Sequence, residues 1–109
     1  MKTQIIAATM TILATAALTA KRFCTSAGAV PAAGAWCPGV VEADTDAGQL
    51  APVNTHGILL VEAGAAIAQD AQVQTDASGR AITLAAGVAL GRVLDAAAAA
   101  GNVIRVKVS

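Results

Sequence analysis

The sequence predicts an all-β fold: a small compact β-barrel or sandwich of short antiparallel strands with an extended N-terminal arm. Three observations lead there. A glycine-closed pattern occurs twice, as Gly39-Val-Val-Glu-Ala-Asp-Thr-Asp-Ala-Gly48-Gln-Leu-Ala-Pro-Val53 and as Gly91-Arg-Val-Leu-Asp-Ala-Ala-Ala-Ala-Ala-Gly101-Asn-Val-Ile-Arg-Val106. Each copy is a short apolar stretch, an acidic residue, a small-residue turn, a second glycine and an alternating strand, which is the pattern of a β-hairpin. The second copy is one residue longer between its glycines. Short apolar runs recur at tight spacing with Gly and Pro between them, as in barrels and sandwiches. Finally, the alanine run Ala96–Ala100 is too short to stand as a helix alone. Its alignment with the turn after Glu42 makes it a loop.

Residues 1–20 read as the extended arm or strand, and 21–109 as a single β domain. Thr9, Thr11, Thr15 and Thr19 interrupt the apolar N-terminal run and favour strand over a membrane-inserting helix. Residues 5–25 therefore read as an extended arm or strand pair whose apolar side needs a cover, from this chain or a neighbour. Pro31 and the Pro38-Gly39 pair mark turns. Val40–Glu42 is a strand and Asp44–Gly48 a turn. Gln49–Asn54 is a strand that Pro52 marks as an edge or an end. Thr55–Gly64 is the most hydrophobic body segment and reads as a central strand.

Two short strands follow within Ala65–Gln74, with a turn at Gln69-Asp70. Asp76-Ala-Ser-Gly79-Arg80 is a strong hairpin turn, returning as a strand at Ala81–Leu84. Val88–Leu94 is a strand, and Val103–Val108 ends the fold. There the alternation directs Val106 and Val108 inward and Arg105 and Lys107 outward.

Composition narrows the function. The chain has 109 residues, enough for one domain, and 2% aromatics, with Phe23 and Trp36 as the large rings. Burying a large apolar side chain contributes about 1.5–3 kcal/mol, and an alanine methyl far less. A core of Ala and Val must be thin. Seven cations balance seven anions, so no polyanion-binding surface is expected and nucleic acid is not a partner. No membrane partner is expected either.

No catalytic, cofactor or metal site is expected. His56 lacks a nucleophile signature around any serine. Asp44 and Asp46 lack the further oxygen ligands of a calcium loop and read as turn residues. Gly28, Gly34 and Gly39 lack the strand-to-helix context of a phosphate cradle. Cys24 and Cys37 read as free, partly buried thiols, with one disulfide left open. Trp36 is either a core plug beside the Pro-Gly turn or a surface anchor. The alternative function is a secreted periplasmic β-domain, with a cleaved N-terminal signal and a Cys24–Cys37 disulfide.

The order of motifs along the chain resembles the tailed-phage capsid cement, or head decoration, proteins. The resemblance runs from about Ala17 to Val108. It rests on Ala17-Leu-Thr-Ala-Lys-Arg-Phe23 leading to Gly28, on Ala32-Ala-Gly34, and on Gly39-Val-Val with Asp46-Ala-Gly48. It continues through Gly57-Ile-Leu-Leu-Val-Glu62-Ala-Gly64-Ala-Ala-Ile67 and Thr75-Asp-Ala-Ser-Gly79-Arg80-Ala, and closes with Leu90-Gly91-Arg-Val and Gly101-Asn-Val-Ile-Arg-Val106. Cys24, Cys37 and Pro52 depart from the pattern.

The resemblance implies a non-enzymatic protein on the outer surface of the virion capsid, assembled in the bacterial host cytoplasm. It implies the major capsid protein as partner and a homo-oligomer, a trimer before a dimer or monomer. The arm then supplies contact residues Gln4, Ile5, Ile6, Met10, Ile12 and Leu13, adding a strand to a neighbour, with Trp36 beside them. Deleting residues 2–16 is expected to leave a soluble body that no longer attaches to shells.

Overall fold

The computed structural model describes residues 3–108. The regular elements among the described residues are strands: β1 (Ile5–Leu13), β2 (Phe23–Cys24), β3 (Gly39–Val41), β4 (Leu50–Glu62), β5 (Gln72–Thr75), β6 (Ala81–Thr83), β7 (Gly91–Val93) and β8 (Val103–Val108). All ladders are antiparallel, in the order β2-β3-β4-β8-β7-β5-β6, with β1 paired to β4. The path curls back on itself. Ala63, just past β4, makes a parallel bridge to Ala81 of β6, and Gly64 N–H donates to the Ala81 carbonyl at 2.7 Å.

The all-β expectation holds, and several boundaries shift. The two strands expected on either side of Thr55 are one strand of 13 residues. Pro52 does not end it, because β3 has already stopped at Val41. Glu42 N–H donates to the Pro52 carbonyl at 2.9 Å, and the donor that proline lacks falls at the end of that ladder. The strand expected over Val88–Leu94 shrinks to β7, and the first one expected after Ala65 is a single bridge, Ile67 to Ala97. The alanine run is a loop, as its spacing predicts.

The repeat seen in the sequence is the visible part of a larger one. Val41 pairs with Val53 in the first hairpin, as Val93 pairs with Val106 in the second. The correspondence extends outward. Ala14 N–H donates to Gln49 C=O and accepts from Gly48 N–H, as Ala63 does with Asn102 and Gly101. Leu18 and Thr45 exchange two backbone hydrogen bonds, as Ile67 and Ala97 do. Lys21 and Asp70 are the described non-glycine residues with positive φ, at 64° and 66°. Cys24 pairs with Gly39 as Val73 pairs with Gly91. β1-β2-β3-β4 and β4-β5-β7-β8 are therefore two copies of one unit that share β4, and β6 is an addition to the second. Gly48 and Gly101 close equivalent turns with φ of 88° and 91° and open space around them, so backbone conformation alone selects glycine there.

The cores obey the same correspondence. Ile12, Ala14, Leu18, Cys24, Val41, Ala51 and Val53 form one buried cluster. Their counterparts Val61, Ala63, Ile67, Val73, Val93, Ile104 and Val106 lie in a second, larger one. The second cluster is larger because it also receives Phe23, Cys37, Val40, Leu59, Ala81 and Ala97. Phe23 and Val40 are cross-strand partners. They lie in the first unit by sequence yet pack with the second unit's core.

Candidate functional site: an exposed N-terminal strand and the groove beside it

β1 is built to stay extended. It is rich in β-branched residues, has no Pro or Gly, and carries no charge. It runs alongside β4 from Leu13↔Leu50 to Ile5↔Ile58, with register irregularities around Ala8. Among the described residues, its opposite edge pairs with no strand. Its side chains are also uncovered: in Ile5–Leu13 only Ile12 is buried. Leu13 and its cross-strand partner Leu50 are both exposed, Leu50 at 67%. An uncharged nine-residue edge is unusual, because proteins normally blunt edges with charge, proline or short length.

The sequence-predicted contact residues divide three ways. Ile5, Ile6, Met10 and Leu13 lie exposed on β1. Gln4 is half-buried and its amide is occupied: Oε1 accepts from Leu60 N–H at 3.0 Å, and Nε2 donates to Glu42 Oε2 at 3.3 Å. It pins the start of β1 to the body. Ile12 corrects the sequence reading, because it is 6% exposed inside the first core cluster and lines no surface. Ala14 is also fully buried there. A deletion reaching residue 16 therefore opens a core rather than trimming an arm, so the truncation expected to leave an intact body is not a clean test.

Trp36 is not the core plug, since it lies 59% exposed. It is brought together with Met10 across a groove of about 370 Å³, also lined by Pro38, His56, Leu90 and Val108. The sequence places Met10 and Trp36 far apart; β1 running alongside β4 brings them to one groove. His56 is exposed, and its Nδ1 lies 3.0 Å from Thr55 Oγ1. Among the described residues no carboxylate forms an ion pair with it. Asp44 Oδ1 accepts from Ala20 N–H at 2.8 Å, a bond that ties its turn to a distant loop.

Among the described residues no group of three or more His, Cys, Asp or Glu could hold a metal ion, and no helix is long and apolar enough to cross a membrane. Cys24 and Cys37 are free and buried, in different clusters, without the disulfide that the secretory alternative calls for. Burial pushes the Cys24 thiol up to about 11 and, helped by Cys24, the Cys37 thiol to about 12. They behave as small hydrophobes, not as nucleophiles.

Sequence reading missed the polar groups that hold the loops. Asn54 is buried on β4, accepts from Thr9 Oγ1 at 2.9 Å, and donates to the Glu42 carboxylate. Gln74 Oε1 accepts from Ala85 and Gly87 N–H at 2.8 and 2.9 Å. No signal in sequence marks these, since each long-range partner comes from a different strand or loop.

The sequence profile that describes phage cement proteins matches residues 1–108. The chain belongs to the phage cement protein family. That membership gives this cement-family chain a structural, capsid-associated role in a phage. A solved structure, the N-terminal base of the head fiber protein gp8.5 of bacteriophage phi29, shares its fold with a TM-score of 0.74 at 20% identity. The match covers 94% of this chain and 93% of that one. No curated protein matches the sequence.

Proposed function

We propose that the protein is a non-enzymatic capsid cement protein that binds the outside of an assembled phage head and clamps neighbouring major capsid subunits. The observation that carries this reading is β1: an uncharged strand, paired along one edge, with Ile5, Ile6, Met10 and Leu13 exposed. Such an edge takes another chain's strand by main-chain hydrogen bonding. The exposed leucine pair and the Trp36 groove add apolar contacts beside it. Each copy bridging two subunits gains from avidity, so modest contacts suffice over a lattice. Self-association, as a trimer before a dimer or monomer, fits the same reading.

Co-sedimentation with undecorated, expanded heads, followed by electron microscopy, tests it. Saturable binding with ordered density on the outer surface is the expected result. A folded sample that fails to bind at saturation rejects the cement role. The edge itself is tested by Thr11→Pro. Ala14 directs its N–H and C=O toward the start of β4, so alternation sends those of Thr11 outward. Proline there removes an outward donor and spares the β4 ladder. Binding should fall while the melting temperature holds; unchanged binding removes the edge from the mechanism.

A further inference from the structure

Arg92 and Lys107 stand directly opposite each other across β7 and β8. Like charges in that position destabilise a sheet. Among the described residues no carboxylate forms an ion pair with them; the ion pairs there are Arg22–Glu62, Arg80–Asp76 and Arg105–Asp95. Arg92 is also held in place. Its Nη1 donates to the Asp70 carbonyl at 2.7 Å, on the residue whose φ of 66° turns the backbone there. A guanidinium has five donors, so most remain available.

The internal repeat makes this pair more telling. Arg92 and Lys107 occupy the positions that Val40 and Asn54 hold in the first unit. There the row is buried, flanked by Phe23, and every polar group has a partner. In the second unit the row is Gln72, Arg92 and Lys107, exposed and lining an open cleft of about 390 Å³. Leu90 lies on the wall between this cleft and the groove that holds Trp36.

We propose that this cleft receives an acidic segment of a partner protein, with its carboxylates on Arg92 and Lys107 and a neighbouring apolar side chain in the Trp36 groove. Charge complementarity selects the occupant: two cations without an ion-pair partner among the described residues call for carboxylates, and the adjoining apolar wall calls for a polypeptide rather than a free anion. Naming the partner as a capsid subunit rests on the cement reading; the acidic specificity does not.

The probe is a short acetylated peptide alternating leucine and aspartate, titrated against the full chain by amide NMR. Gln72, Arg92, Lys107 and the Trp36 indole should shift saturably. A leucine–asparagine peptide should bind about tenfold more weakly, the scale of one lost charge-assisted contact. The R92A/K107A double variant should lose that preference with its melting temperature held or slightly raised. Equal responses to both peptides, or an unaltered double variant, overturn the proposal. Head binding separates the two ideas. Wild-type decoration that R92A/K107A matches at every salt concentration, with no peptide response, rejects the acidic site and keeps the cement role. A peptide response without decoration rejects the cement role and keeps the acidic site.

Discussion

The two units of the repeat share a backbone and differ in what their outer rows face. In the first, Phe23 and Val40 turn into the core of the second unit. In the second, the equivalent Gln72 and Arg92 face solvent. The inner rows differ as well. Leu59 is fully buried where its counterpart Met10 lies exposed beside Trp36. One hairpin plan thus serves twice, and position in the stack decides whether a row becomes core or surface. The second unit packs on the first, and among the described residues the outer row of the second is left exposed.

The sharpest way to break this comparison is to truncate equivalent residues. Leu59→Ala should cost about 2–5 kcal/mol, because it leaves a cavity in the larger cluster. Met10→Ala should cost within about 0.5 kcal/mol, as a surface change does. Chemical denaturation of both variants decides it, and equal losses would mean that the units do not differ in burial. Met10→Ala should weaken head binding despite its small effect on stability.

The crossing of the two connecting loops comes next. A Cβ on Gly34 would lie 2.9 Å from Gly87 Cα, and one on Gly87 would meet Gly34 backbone as well. Val88 N–H donates to the Gly34 carbonyl at 2.9 Å and fixes the approach. Gly87→Ala should therefore destabilise by about 1–3 kcal/mol, the usual cost of overpacking. A thermal melt that shows no loss would mean that the units can slide apart at no cost.

Alkaline pH tests the thiol positions. Burial pushes both folded thiols above the ordinary thiol value of about 9. Between pH 9 and about 11 the unfolded chain releases protons that the native state retains, so stability falls as pH rises and is intact below pH 9. The loss for Cys24 should reach on the order of 2–3 kcal/mol by pH 11. Cys24→Val installs the residue that the second unit uses at Val73. Melting curves of this variant should match wild type at pH 7 and fall less steeply above pH 9.

The smallest effect concerns the open row. Relieving the like-charge pair with Arg92→Ala and Lys107→Ala should change stability by about 0.2–1 kcal/mol at most, toward greater stability. A large loss in denaturant melts would show that these side chains hold the fold together rather than wait for a partner.

Much of this was legible in the residues. The Asp76–Arg80 turn announces itself through Asp and Gly. In the structure Asp76 Oδ1 accepts from Ser78 and Arg80 N–H at 2.8 and 2.9 Å. The alternation of Val103–Val108 directs Val106 and Val108 inward, because a one-residue slip would bury Arg105 and Lys107; Val106 is fully buried and Val108 half-buried against the larger cluster. The wider repeat was hidden, since Leu18 matches Ile67 and Lys21 matches Asp70 by hydrogen bonding rather than by residue type. Left-handed backbone at Lys21 and Asp70 carries no glycine to mark it.

The sequence by itself determined the all-β class, the Asp76–Arg80 turn and the outward parity of Arg105 and Lys107 on β8, because period-two alternation and turn chemistry are local properties. Tertiary structure decided which of two equivalent rows is core, that Ile12 is buried while Trp36 is exposed, and that Arg92 meets Lys107. Those outcomes depend on what packs against each face, and that neighbour comes from the other end of the chain or from another molecule.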